Sequence, residues 1–141
     1  MKLKILSFAG KAFSSNAVKS VTLMTTSWEV TILKDHTSLL TSMKPSTMYI
    51  TYMDEKKEKR DDFAIWSGVV EVNDNNIKIM VDMLVDIYDL DVEKAERARK
   101  DAVALMKKYR DSKDKVDMEK FIEAEDMLYK SIAQLKLSEI R

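Results

Sequence analysis

Trp28-Glu29-Val30-Thr31-Ile32-Leu33-Lys34-Asp35-His36-Thr37-Ser38-Leu39-Leu40-Thr41-Ser42-Met43-Lys44-Pro45-Ser46-Thr47-Met48-Tyr49-Ile50 contains the only histidine and the only proline of the chain. Two strand-like runs, 29–33 and 47–52, flank a polar corner at Lys34-Asp35 and a short apolar piece. Trp28, Val30 and Ile32 alternate with Glu29 and Thr31 in the first run, and Met48, Ile50 and Tyr52 share a face in the second. Such period-two alternation marks strands that rest one face on a core.

The same pattern extends in both directions. Leu3, Ile5 and Phe8 mark a first strand, with Gly10-Lys11 as the turn into Ala12-Phe13-Ser14, and Val18, Val21 and Leu23 follow near period two. Downstream, 54–62 reads D-E-K-K-E-K-R-D-D, a charged loop at a solvated hairpin tip. Strands are predicted at 63–66, 69–72 and 77–81. Asn73-Asp74-Asn75-Asn76 supplies the positive backbone angles of a tight hairpin without glycine. About nine short strands at this spacing predict an antiparallel sandwich.

After a connector at 83–89 the period becomes helical. Val92, Ala95, Ala98, Ala102, Leu105, Met106 and Tyr109 recur at three and four residues, with Asp91 placed as N-cap. Charge at 111–115 interrupts the stripe. Asp117 is then expected to cap a second helix, whose inward row is Phe121, Ala124, Leu128, Ser131 or Ile132, and Leu135. Two amphipathic helices joined by a short polar loop form an antiparallel hairpin.

Composition bounds the function. Of 141 residues, 45% are hydrophobic and 34% charged, which describes a globular chain rather than a disordered one. Lys plus Arg equals Asp plus Glu at 24 each, so neither nucleic acid nor an anionic membrane surface is the expected partner. There is no cysteine, no apolar run long enough to span a bilayer and no signal-peptide core, and a cytoplasmic protein without membrane insertion is expected. Of ten methionines, Met80, Met106, Met118 and Met127 fall on or near apolar stripes and read as core filling. With one histidine, two glycines and no phosphate-loop pattern, the chain is expected not to be an enzyme in its own right and to need no cofactor. His36 has no companion ligand nearby and reads as a turn histidine bonded to the backbone rather than a metal ligand or general base.

Glu29, Ile32-Leu33, His36, Leu39-Leu40-Thr41 and Lys44-Pro45 resemble, in order and spacing, a signature of the epsilon subunit of F-type rotary ATP synthases. Trp28, Thr31, Asp35 and Ser46 stand where that family prefers glycine, and Lys34 and Ser38 where it prefers proline. The stretch 63–72 is similar to the family's Ala-Val-Ser-Gly-Gly-Phe-x-Glu-Val strand pair, with Trp66 in place of a small residue, and Leu90-Asp91-Val92-Glu93-Lys94-Ala95 resembles the motif that opens its helical hairpin.

The resemblance implies a non-catalytic central-stalk subunit in a complex that makes or hydrolyses ATP, peripheral to the membrane. Its sandwich would clamp the foot of the gamma shaft. Glu29 and His36 would lie together at the sandwich end facing the membrane rotor ring, and the hairpin would rise to the catalytic head subunits and regulate hydrolysis. In some bacterial members the hairpin motif's Asp and Arg hold a regulatory ATP. Here Asp91 remains but Lys94 replaces the arginine, Val85 stands at an upstream acidic position, and Lys130 and Gln134 replace paired arginines. Lysine cannot offer a bidentate fork to phosphate, so Asp91 reads as a helix cap. The expected architecture is α+β, an antiparallel β-sandwich at 1–86 followed by a two-helix antiparallel hairpin at 87–141. Two alternatives stand beside this function: a motor of the same type whose output is not ion transport, and a free-standing protein-interaction adaptor.

Overall fold

A computed structural model describes residues 1–140. Ten strands form two sheets: β1 (Lys2–Ser7), β2 (Ala12–Ser15), β3 (Val18–Met24), β4 (Glu29–Leu33), β5 (Leu39–Met43), β6 (Ser46–Asp54), β7 (Lys57–Ile65), β8 (Gly68–Asn73), β9 (Asn76–Val81) and β10 (Leu84–Asp86). A single 3-10 turn at Ile87–Asp89 leads into α1 (Val92–Tyr109) and α2 (Lys115–Ile140). The first sheet runs β2-β1-β9-β8-β5 and the second β10-β7-β6-β3-β4. Every pairing is antiparallel except β1 with β9, which run parallel with Leu3 beside Ile77 and Ile5 beside Ile79. These side chains point inward with Val21, Ile32, Met48, Ile50 and Ile65 to make one core between the sheets.

Turn chemistry follows local residue type where the residues are suited to it. Asp74 (φ 47°) and Asn75 (φ 61°) form the β8–β9 turn, and Gly10 (φ 88°) lies in the β1–β2 turn. Phe8 falls outside β1 and is 84% exposed, because the chain is already turning: the Gly10 amide donates to the Ser7 carbonyl.

The charged run 54–62 is not a loop. β6 and β7 pair without interruption from Ser46 opposite Ile65 to Asp54 opposite Lys57, and only Glu55 (φ 45°) and Lys56 (φ 74°) turn the corner. Charge there reports that the ribbon's side chains face water, not that the backbone is unpaired. Ion pairs such as Lys59–Asp54 and Lys19–Glu58 lie along it. The short apolar piece after His36 is likewise a strand, β5, at the edge of the first sheet. The connector after Asp82 contributes β10, which pairs with β7.

Asp91 caps α1 as expected, its carboxylate accepting the Lys94 amide at 3.0 Å. Asp117 does not cap α2. Asp114 accepts the Val116 amide at 3.0 Å, so the helix starts earlier and Asp117 sits in its first turn, receiving the Ser112 hydroxyl. Buried positions along the hairpin are mostly small: Ala95 and Ala102 on α1, and Ala124, Ser131 and Ala133 on α2. The hairpin meets the sandwich chiefly through α2, against β6 and β7, where Ala133 and Leu137 pack on Ala64 and Leu90.

Gly68 opens β8 in contact with β9, and a Cβ built there would lie 2.2 Å from the Met80 carbonyl oxygen and 2.9 Å from the Val81 Cα. Backbone cannot yield as a side chain would, so Gly68→Ala is expected to cost about 3 kcal/mol or more in urea denaturation. Gly10→Ala meets nothing within 4 Å and carries only left-handed strain, about 1 kcal/mol. Equal costs at the two positions would contradict this account.

Candidate functional site

Three surfaces gather the candidate residues. The first is the free edge of the second sheet. Glu29 begins β4, exposed and paired with Met24, while His36 follows Leu33 in the corner between β4 and β5. The His36 amide donates to the Leu33 carbonyl, and its Nδ1–H donates to the Thr37 carbonyl at 2.7 Å. Asp35 (φ 63°) ties this corner to the β8–β9 turn, its amide donating to Asn75 Oδ1 at 2.7 Å. Glu29 and His36 therefore do not share one loop or one end. They bracket β4, whose five residues span about 13 Å. Trp28, 68% exposed, projects from the Glu29 end.

The second surface is a cleft of about 410 Å³ between the tail of the sandwich and the hairpin, where Val85, Asp89, Asp91, Lys94, Lys130 and Gln134 meet. Of the motif that opens the hairpin, Leu90 and Ala95 are buried and Asp91 and Lys94 are exposed. The cleft suits phosphate poorly. Asp91 is engaged in capping, Asp89 adds a second carboxylate and binds Lys11, and Lys130 is paired with Asp126 at 3.2 Å. No arginine lines it. With Lys94 and the already paired Lys130 beside two carboxylates and no arginine, the residues present do not fit a nucleoside triphosphate.

The third surface was not singled out from sequence. The outer face of the second sheet satisfies itself: Thr22 and Thr31 share a hydroxyl bond of 2.9 Å, and Arg60 grips Asp62 while lying 3.9 Å above the Tyr49 ring. The outer face of the first sheet does the opposite. Leu6, Met80 and Val69 are direct cross-strand neighbours on β1, β9 and β8, all exposed, with Leu40 beside them on β5. A groove of about 240 Å³ runs there, bordered by Lys4, Glu71 and Lys78. The available signal was that these strands are apolar in both phases, which a surface strand has no need to be.

The displaced ionisations sit away from these surfaces and have structural causes. Burial and a hydrogen bond to Asp61 raise the Tyr52 phenol. Hydrogen bonds to Asp54 and Asp62 raise Lys59 and Arg60 respectively, and the Arg99 hydrogen bond lowers Glu96. Among the described residues no cluster of three His, Cys, Asp or Glu could hold a metal ion.

The profile of the family described as ATP synthase, Delta/Epsilon chain, beta-sandwich domain matches residues 1–87. The ATP synthase epsilon chain of Mycoplasma mobile is 34% identical over 105 residues, 74% of this chain and 73% of that one. The epsilon chain of Hydrogenovibrio crunogenus is 37% identical over 102 residues, 72% and 67% of the two chains. A chain in the Euglena gracilis mitochondrial ATP synthase assembly of OSCP, F1 and c-ring shares the fold, with a TM-score of 0.69 at 22% identity, covering 95% of this chain and 78% of that one. A ten-stranded sandwich followed by a helical pair is thus a delta/epsilon-type architecture. The chain belongs to the ATP synthase epsilon-chain family.

The capping role of Asp91 is separable from any role of its charge. Asp91→Ala should lower the stability of the hairpin by about 1 kcal/mol, while Asp91→Asn should keep most of it. Amide exchange in the first turn of α1 reads the difference. An asparagine as costly as alanine would show that the carboxylate does more than cap.

Proposed function

We propose that this chain is a non-catalytic central-stalk subunit of an F-type rotary ATPase, seated on a gamma-like shaft by the open face of the first sheet. The observation that carries this reading is the exposed apolar row Leu6–Met80–Val69 with Leu40 beside it, lying on the face opposite the one that receives α2. Contiguous apolar surface rimmed by charge is the signature of a protein interface, and Lys4, Lys78 and Glu71 would fix its register. In this reading the sandwich, residues 1–86, folds and binds by itself, and 87–141 is a regulatory arm that reaches the catalytic head. The β4 edge, bracketed by Glu29 and His36, would lie along the membrane rotor ring. The subunit is peripheral, on the cytoplasmic side; among the described residues no helix is long and apolar enough to cross a membrane.

A motor whose output is not ion transport is the second reading. Trp28 favours it: a large exposed indole stands beside Glu29 where the family resemblance expects glycine, and the surface beneath this edge must accommodate it.

The division of labour is directly testable. Val69→Asp with Met80→Asp changes two exposed side chains and should abolish co-purification with the gamma-like partner while leaving the fold intact. Deleting 91–141 should leave that binding in place and raise ATP hydrolysis by the assembled head. Loss of gamma binding on deletion, in a protein still folded by circular dichroism, would move the anchor to the hairpin.

Two further outcomes are expected. Isothermal titration with millimolar ATP should give no saturable heat; clear saturation that disappears in Asp91→Ala would overturn the reading of the cleft. Glu29→Lys with His36→Ala should weaken coupling of hydrolysis to ion pumping at a stability cost below about 1 kcal/mol. Unchanged pumping with gamma binding intact would favour the second reading.

A further inference from the structure

The contact between hairpin and sandwich presents an imbalance. Its buried seam joins Ala64 of β7 and Leu90 to Ala133 and Leu137 of α2, with Val85 and Ile87 packed against them. Alanines allow close approach but bury little area each. The largest side chain at this junction is Trp66, in the link between β7 and β8. Its backbone is held rigidly, the Trp66 amide donating to the Met83 carbonyl at 3.2 Å, while next to it Ser67 and Asp82 exchange two hydrogen bonds. Although it lies in a link, Trp66 is only 7% exposed. The groups on its ring come from α2: Tyr129 with ring centroids 6.2 Å apart and planes inclined by 31°, and Lys130 with Nζ 5.5 Å from the ring. Lys130 in turn is tethered to Asp126, one turn back on the same helix.

We propose that Trp66, gripped by Tyr129 and Lys130, is a latch that holds the helical hairpin down on the sandwich with no nucleotide bound. A tryptophan buries roughly 200 Å² and is the best ring for a cation to rest on, so this one side chain adds a large contact beside the smaller Ala64–Ala133–Leu137 seam. The cleft beside the latch has two carboxylates, one a helix cap, no arginine, and a Lys130 already paired with Asp126, so it is poorly suited to supply a competing ligand-driven clamp. The latch is also local. Its α2 half is two neighbouring residues, Tyr129 about half exposed and Lys130 more than a third exposed, so a partner that takes Tyr129 into its own surface would release the hairpin without disturbing the sandwich core. The regulatory meaning of that release rests on the function proposed above; the latch itself does not, because it operates in the free chain.

The test uses the full-length chain in a Trp28→Phe background, which leaves Trp66 as the only tryptophan. Tyr129→Ala should shift Trp66 emission to the red and speed amide exchange across both helices by on the order of tenfold, with exchange in β3, β6 and β9 unchanged. Trp66→Ala should speed hairpin exchange by on the order of 100-fold, and the strand amides report whether the sandwich has survived that larger change. Lys130→Gln should give a smaller acceleration in the same direction. Unshifted emission and unaltered hairpin exchange in Tyr129→Ala would overturn the latch. So would a slowing of hairpin exchange in the unmodified chain by millimolar ATP, since nucleotide would then be part of what holds the hairpin. Neither result requires a gamma-like partner, so failure of the latch is distinguishable from failure of the proposed function.

Discussion

A two-sheet sandwich has two outer faces, and one helical hairpin can cover only one of them. Inner faces bury each other; outer faces must be polar, covered or used. The second sheet solves most of its exposure with side chains, through the Thr22–Thr31 hydroxyl pair and the Tyr49–Arg60–Asp62 stack, and leaves one corner at Ala64 for α2. The first sheet leaves Leu6, Val69 and Met80 in water. An apolar row placed on the uncovered side, rather than under the helix, is what gives the chain a surface for another protein.

The hairpin is bound by that same economy. Paired alanines bring helix and sheet close, and Leu137 with Leu90 is the larger part of a short seam, so the docked state depends on a few contacts rather than a broad interface. Its internal packing is also built from small residues at Ala95, Ala102 and Ala124. Helices of this length owe their stability to tertiary packing, so a loosely seated pair is suited to exchange between positions while its own seam stays closed. The rigid anchor lies on the sandwich side of the contact, in the link that Met83, Ser67 and Asp82 hold in place.

Much of this was legible in the sequence, for identifiable reasons. Asp74 and Asn75 tolerate positive backbone angles, so the β8–β9 turn could be read directly, and Asp91 announced α1 because nothing nearby competes with it. Asp117 misled because Asp114 offers the same carboxylate three residues earlier. The run 54–62 misled because charge signals contact with water and says nothing about whether a backbone is paired; Glu55 and Lys56 adopt left-handed geometry only because nine residue pairs of register demand it. Leu39-Leu40 breaks the alternation that would have marked β5. The run 29–33 with its corner at Lys34-Asp35 was legible, so Glu29 at the start of β4 and His36 just beyond its end could be read, whereas the resemblance had put the two together on one facing loop. The apolar row and the Trp66–Tyr129 contact are tertiary facts, one needing strand order and the other the path of α2.

The parallel pairing of β1 with β9 also carries a consequence for biosynthesis. Its partners are about 74 residues apart in sequence, so the first strand to leave the ribosome must wait for nearly the last before it gains this neighbour. Closing so long a loop is slow compared with forming a helix, and the waiting chain exposes the apolar edge of Leu3 and Ile5. The hairpin, by contrast, is made of local contacts and can form as soon as it emerges. Synthesis therefore delivers the helical pair last, onto a β6–β7 ribbon that is itself a local pairing, while the β1–β9 seam is the contact that ties the two ends of the sandwich together.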